Sequence, residues 1–366
     1  MNFNCLIINH FRNYEALKVD LVPGINVFTG PNGSGKTSIL EAIHFLCMTR
    51  GFVAGGDKNA LKKGDTYFIL EGLTDQQEWI KITFMEGRGK KVFHDMVPID
   101  KLASHIGRIP VVALLPTDTD LIREAASFRR KYLDAQISQY DSNYLQSLVR
   151  YEHALTQRNA TLQYCLKKNT WDREQLQIWE AIMIPEGIRI IETRKQYLEK
   201  FIPQFRAYYA QISGEAEIPD ILYESNIEPN TREYWMAEIE KSLDKDRYSG
   251  RSSVGCHKDE LSFRLNGALI KDHGSQGQQK SFVMALKLAN FVFLNAQKST
   301  WPLLLLDDLF DKLDNHRVDA LARLLQEFEG AQILITDTSE DRLKSILDAY
   351  PFPRVQYFQV HQGKIA

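Results

Sequence analysis

The stretch Gly30-Pro31-Asn32-Gly33-Ser34-Gly35-Lys36-Thr37-Ser38 has the G-x4-G-K-[ST] spacing that cradles a triphosphate. Its glycines let the backbone turn N–H groups inward around phosphate oxygens, and a helix beginning behind them adds partial positive charge. Lys36 is placed to reach the β- and γ-phosphates, and the Thr37 hydroxyl to ligate Mg²⁺. Such a site needs a carboxylate at the end of a neighbouring strand. The run Leu303 to Leu306 followed by Asp307 and Asp308 supplies it. Asp307 would support the metal, directly or through water, and Asp308 would polarise the attacking water as general base. ATP and Mg²⁺ are the cofactors this pattern predicts.

The elements that must position these residues are also legible. Val27 and Phe28 end an apolar strand, and Ile39, Leu40, Ile43 and Leu46 recur at helical spacing after the loop. Leu303 to Leu306 is all apolar, as a parallel strand buried on both faces requires. About 270 residues separate Thr37 from Asp307, so the nucleotide domain is closed by both ends of the chain around a large insertion. From Tyr67 to about Leu115 the pattern is mainly β, with "GRGK" as a turn. From Asp118 to about Phe205 apolar residues fall at helical spacing with little glycine or proline, predicting two or three long helices packed together. Sheet patterning returns at Asp259 to Gly267. The expected organisation is an α/β head over 1–117 and 248–366, a mixed sheet with flanking helices, with a helical lobe inserted over 118–247.

The chain has 366 residues, 44% hydrophobic and 25% charged, an ordinary globular composition. It contains no apolar run of about 18 residues, so no membrane span is expected. The start, Met1 to Leu21, lacks the marks of a secretory signal. Cys5, Cys47, Cys165 and Cys256 form no CxxC pair, which argues against zinc or disulfides and fits a cytoplasmic protein. A net charge of −2 predicts no nucleic-acid partner by bulk charge, so any such surface is local. From Thr119 to Arg206 there are 14 Lys/Arg against 11 Asp/Glu; from Ala207 to Arg247, 4 against 10. The basic part carries Arg129-Arg130-Lys131 and Lys167-Lys168 among Tyr132, Tyr140, Tyr144, Tyr151 and Tyr164. It reads either as a face that tracks a phosphate backbone or as a solvated helix face over core tyrosines. Lys58, Lys62, Lys63, Arg88, Lys90 and Lys91 are further candidate DNA contacts, or plain surface lysines and arginines.

A second motif stands far from the first. "SQGQQKSF", Ser275 to Phe282, resembles the signature motif of ABC-type ATPases, and "DKLD", Asp311 to Asp314, resembles their D-loop. Together with "FRNY" (Phe11 to Tyr14), "RRKYLD" (Arg129 to Asp134), "YEHALTQRN" (Tyr151 to Asn159) and "GCHKDEL" (Gly255 to Leu261), the chain resembles, over essentially its whole length, the RecF family of ABC-type heads. This family of bacterial recombination mediators is related to SMC proteins, whose insertion is a long coiled coil. The resemblance implies that Ser275, Gly277 and Gln278 contact the γ-phosphate held by the phosphate loop of a second subunit. It further implies an ATP-dependent homodimer that binds DNA near junctions of single strand and duplex. Slow, DNA-stimulated hydrolysis would release the DNA. A RecR-type partner, assistance in placing RecA at gaps, and roles in the SOS response and replication belong to the same inference.

The chain departs from the ABC pattern in several places. Asp308 stands where such heads carry Glu, no histidine follows the next strand, and no glutamine fits the Q-loop. Thr336 is the candidate sensor of the γ-phosphate. Arg12 and Tyr14 are candidates for contacts near the base, or parts of a structural turn. Arg251, His257 and Lys258 are candidates for nucleotide contact or for ordering the site. Two rival readings remain open on the residues alone: a self-contained kinase-like enzyme acting on a small molecule, and an ATP-sensing protein scaffold.

Overall fold

Burial alternates along Tyr67–Thr74 and Trp79–Met85, so each of these strands offers one apolar face to the core. Such strands pair antiparallel with the other face toward water. They form a six-stranded sheet in the order Tyr14–Asp20, Phe3–Phe11, Tyr67–Thr74, Trp79–Met85, Gly89–His94, Val97–Pro98. The strands Ile25–Thr29, Leu303–Leu306, Ile333–Asp337 and Val111–Leu114 are buried at every position, and all pair in parallel. Their sheet runs Lys364–Ile365, Val355–His361, Ile25–Thr29, Ile333–Asp337, Leu303–Leu306, Val111–Leu114. The strand carrying Asp307 is thus not the immediate neighbour of the strand before the phosphate loop: Ile333–Asp337 lies between them. The helix Lys36–Met48 packs on strands of both sheets, with Ile39, Leu40, Ile43 and Leu46 fully buried. Phe45 meets Phe68 edge-on at 5.3 Å.

The computed structural model describes residues 1–52, 56–214, 217–310 and 313–365. It divides into two units. The first comprises Met1–Asp118, Tyr208–Glu215 and Ser281–Ala366, and contains both six-stranded sheets; the second comprises Thr119–Ala207 and Ala216–Lys280. The second unit begins near the expected boundary but runs on past 247 to Lys280, because Pro219–Glu224 pairs with Glu260–Leu265 and that strand with Ala268–Leu269 in a separate sheet. Its helices include Ala126–Ser138, Ser142–Lys168, Arg232–Ser249 and most of Arg173–Ser213, which contains Pro185 and Pro203.

The second unit has a charged core. Buried Arg194 donates to Asp134 at 2.8 Å and Asp259 at 3.0 Å. Arg158, also buried, donates to Glu180 at 3.0 Å, Asp246 at 2.7 Å and Ser252 at 2.7 Å. Arg129 pairs with Glu260 at 2.8 Å, and Arg130 donates to the Asp259 carbonyl. Arg129 is therefore inside, not part of a phosphate-tracking face; in the run Arg129-Arg130-Lys131, Lys131 is the exposed member. Tyr144 and Tyr151 are core residues, whereas Tyr164 is exposed. Among the described residues no helix is long and apolar enough to cross a membrane, and the four cysteines are free and buried.

Candidate functional site

The phosphate loop is a strand-to-helix turn that its neighbours hold open. Gly30 and Gly35 have φ of 150° and 117°. A Cβ on Gly30 would strike the Val360 carbonyl, and one on Gly35 would lie 2.6 Å from Asn13 Nδ2 and 2.7 Å from the Tyr14 hydroxyl, so neither position tolerates a side chain. Asn13 and the Gly363 N–H donate to the Ser34 carbonyl at 3.2 and 3.0 Å, and the Tyr14 hydroxyl donates to the Gly35 carbonyl at 3.2 Å. Lys36, buried, donates to the carbonyls of Gly30 and Pro31 at 2.8 and 3.2 Å. These bonds engage loop carbonyls that would otherwise repel an anion.

The two distant motifs meet here. The Thr37 hydroxyl lies 2.8 and 3.0 Å from the two oxygens of Asp307, across 270 residues of sequence. Asp307 is buried, which pushes its carboxyl above the ordinary range, while hydrogen bonds from Thr336 and Thr37 oppose the shift. Thr336 is fully buried at the end of the intervening strand. Its hydroxyl donates to Asp307 at 2.7 Å and accepts the Asp308 N–H at 3.0 Å. Asp308 sits at φ 42°, a left-handed conformation that Asp tolerates better than most residues. It lines an open cleft of about 420 Å³ with Asn32, Gly33, Gly35, Lys36, Thr37 and Ser38. All of the cleft's lining residues belong to the first unit.

The cleft suits a magnesium triphosphate. Among the described residues, buried Asp308 Oδ1 and Ser34 Oγ find no partner, as atoms reserved for a ligand would. The Thr37 hydroxyl and the Asp307 carboxylate are within reach of one cation, and a lysine and a helix N-terminus face the place of the phosphates.

The remaining sequence candidates divide. Arg12 lines the cleft, and its guanidinium is held by both oxygens of buried Glu41 at 2.7 and 2.8 Å and by the Asn59 carbonyl at 2.6 Å. Tyr14 is fully buried beneath the loop, and burial raises its phenol well above the usual value. Asn13, Glu41, Asn59 and the cleft lysine Lys63 were not assigned to the nucleotide site from sequence; position 13 lay within "FRNY", but the carbonyl it engages is a tertiary fact. Lys58 pairs with Glu86, Lys62 with Glu15, and Lys90 with Asp57. His257 lies in the second unit between the Tyr151 hydroxyl at 2.7 Å and the Ser252 carbonyl at 3.1 Å; burial lowers its pKa to about 4, so it is a neutral structural group. Its neighbours Arg251 and Lys258 are exposed.

Ser275, Gly277 and Gln278 open the helix Gln276–Lys298; these three belong to the second unit, which ends at Lys280, and the helix from Ser281 on to the first. The Ser275 hydroxyl accepts the Gln278 N–H at 3.2 Å, and the Gln278 side chain accepts the Ser275 N–H at 2.6 Å, a reciprocal capping box. Gln279 is buried, accepting from Arg123 at 3.0 Å and donating to the Gly274 carbonyl at 3.1 Å. This holds the helix start while Ser275 stays exposed. Of the D-loop candidate, Asp311 and Lys312 lie outside the described residues; Asp314 caps the helix Asn315–Gln326.

With this geometry in view, a family model described as an AAA domain matches residues 5–349. The DNA replication and repair protein RecF of Cytophaga hutchinsonii is 37% identical over 358 residues, covering 97% of this chain and 94% of that one. RecF of Phocaeicola vulgatus is 38% identical over 363 residues, covering 98% and 96%. The solved structure of the recombination mediator protein RecF-ATP in the RecFOR pathway superposes with a TM-score of 0.89 at 28% identity, covering 100% of this chain and 97% of that chain. An SMC head domain of Pyrococcus furiosus gives a TM-score of 0.55 at 16% identity, a likeness of fold alone. The fold is the ATPase head shared by these proteins, and the chain belongs to the AAA-domain ATPases and, within them, to the RecF family of DNA replication and repair proteins.

Proposed function

We propose that the chain is an ATP-driven DNA-binding switch of recombinational repair. The observation that carries this reading is the contact of cleft-lining Thr37 with buried Asp307, beside a carboxylate oxygen of Asp308 that has no partner among the described residues. Lys36 and the loop N–H groups bind the triphosphate, Thr37 and Asp307 hold Mg²⁺, and Asp308 orients the attacking water. Bound Mg²⁺ neutralises charge that develops on the phosphates. Thr336, behind Asp307, holds that carboxylate in place. A second copy supplies Ser275, Gly277 and Gln278 at its helix start, where the partial positive charge of the helix N-terminus suits an anion. ATP binding closes a homodimer that grips DNA where single strand meets duplex, and slow hydrolysis opens it. The same reading places the protein in the cytoplasm with a RecR-type partner, helping RecA onto gaps, as the names of its relatives suggest.

Sedimentation with and without ATP tests it. Wild type is expected to dimerise with ATP, Lys36→Ala to remain monomeric, and Asp308→Asn to accumulate as dimer. Ser275→Arg is expected to bind ATP and stay monomeric. If Ser275→Arg lost ATP binding instead, the signature would act within its own chain and the sandwich would be wrong.

A further inference from the structure

In the second unit the helices Ser142–Lys168 and Arg232–Ser249 end side by side. Gly250, the left-handed cap of the latter at φ 66°, lies against the last turns of the former: a Cβ there would sit 3.4 Å from side-chain carbons of Gln163 and Leu166. Tyr164 is 60% exposed and Tyr248 87%. Trp171 follows within a few residues of the first helix end, and the Arg247 guanidinium stands 5.2 Å over its ring. Lys167, Lys168, Arg247 and Arg251, each within a few residues of one of these rings in the sequence, are exposed, as are the neighbouring Asp172 and Asp244.

Cations in the last turn of a helix complement its dipole, and that alone would account for Lys167, Lys168 and Arg247. It does not account for the rings. Tyr248, almost wholly in water, contributes little to folding, and Tyr164 is more than half exposed, so the pair at this end suits a partner with flat, apolar faces. Rings beside lysine and arginine match an unpaired nucleotide: bases stack on the rings, and phosphates take the cations. A duplex keeps its bases stacked inside and offers the rings nothing.

We propose that this end of the lobe is a stacking platform for single-stranded DNA. Tyr164, Tyr248 and Trp171 receive bases, and Lys167, Lys168 and Arg251 receive phosphates. The inference rests on the DNA-binding reading above and adds to it a site that distinguishes single strand from duplex.

The test uses the full chain with ATP and two fluorescent probes, an oligo-dT of about 20 nucleotides and a duplex of the same length, read by anisotropy. The variant Tyr164→Ala/Tyr248→Ala removes two exposed side chains. It is expected to weaken oligo-dT binding at least about thirtyfold, the lower end of what loss of two stacked bases does, and to change duplex binding by less than about twofold. Lys167→Gln/Lys168→Gln is expected to reduce the oligo-dT salt slope by about 1.4, the release of two counterions from a single strand. Unchanged oligo-dT affinity in the tyrosine variant overturns the platform, as does an equal loss on both probes. Wild type that retains neither probe overturns the DNA-binding reading itself, and the platform with it.

Discussion

Thr336→Val isolates what the intervening strand contributes to the site. Valine keeps the shape of the fully buried side chain and removes its hydroxyl, and with it two hydrogen bonds: the donation to Asp307 at 2.7 Å and the acceptance from the Asp308 N–H at 3.0 Å. A hydrogen bond to a charged partner contributes about 1.5–3 kcal/mol, and a buried N–H left without an acceptor costs about 1–3 kcal/mol. Local relaxation recovers part of this, so a stability loss of about 2–4 kcal/mol is expected in urea denaturation. In turnover, displacement of Asp307 and Asp308 by a few tenths of an ångström is expected to cost about 1.4–2.7 kcal/mol of barrier, which is about 10- to 100-fold in kcat. ATP affinity should change less than about threefold, because the contacts of Gly30, Lys36 and the loop carbonyls are untouched. The Thr336 hydrogen bond lowers the Asp307 pKa; its loss raises that pKa further, so the acid limb of the pH–rate profile should move to higher pH. Thr336→Ser keeps the hydroxyl and should restore both kcat and the limb. Wild-type turnover with an unmoved acid limb in Thr336→Val would refute the positioning role.

Other outcomes follow from the same structure. Gly35→Ala forces a Cβ into Asn13 and Tyr14 at a φ of 117°; the strain of about 1–3 kcal/mol should appear in thermal unfolding, and nucleotide binding should be lost in calorimetry. Arg158→Ala leaves Asp246 a buried carboxylate without its cation, while Glu180 keeps Arg173 at 2.7 Å, and urea denaturation should show a loss of about 3–5 kcal/mol. His105 and His257 have folded pKa values of about 4 against an ordinary 6.5, both from burial. The unfolded chain therefore binds more protons between pH 6.5 and 4, so their contribution to stability is complete above 6.5 and declines as pH falls through that window. His257→Gln should flatten part of the decline in unfolding free energy measured across it.

The chemistry-bearing loops were legible because their function is local: three glycines, a lysine and a hydroxyl within nine residues need no partner to be recognised, and four leucines before two aspartates mark a buried strand end. The strand order was not legible, since nothing in "ILITDTSED" announces that Ile333–Asp337 inserts between the phosphate-loop strand and the strand of Asp307. Nor was the role of Thr336, whose partners come from that insertion. The lobe misled for a related reason. Arg129-Arg130-Lys131 reads as a basic surface, yet Arg129 finds Glu260, Arg130 finds the Asp259 carbonyl, and Arg158 finds Asp246, each about 90–130 residues away in the sequence. Short-range charge counting cannot see a neutralising partner at that separation, so it overstates the basic surface wherever a core is charged. Burial reverses the inference: once Arg129, Arg158 and Arg194 are assigned to the interior, the cations left for a phosphate backbone on this unit are those still in water, such as Lys131, Lys167, Lys168 and Arg251. Two of these, Lys167 and Lys168, close the helix that carries Tyr164, and it is the pairing of exposed charge with exposed rings, rather than charge density, that distinguishes a nucleic-acid surface from a solvated one.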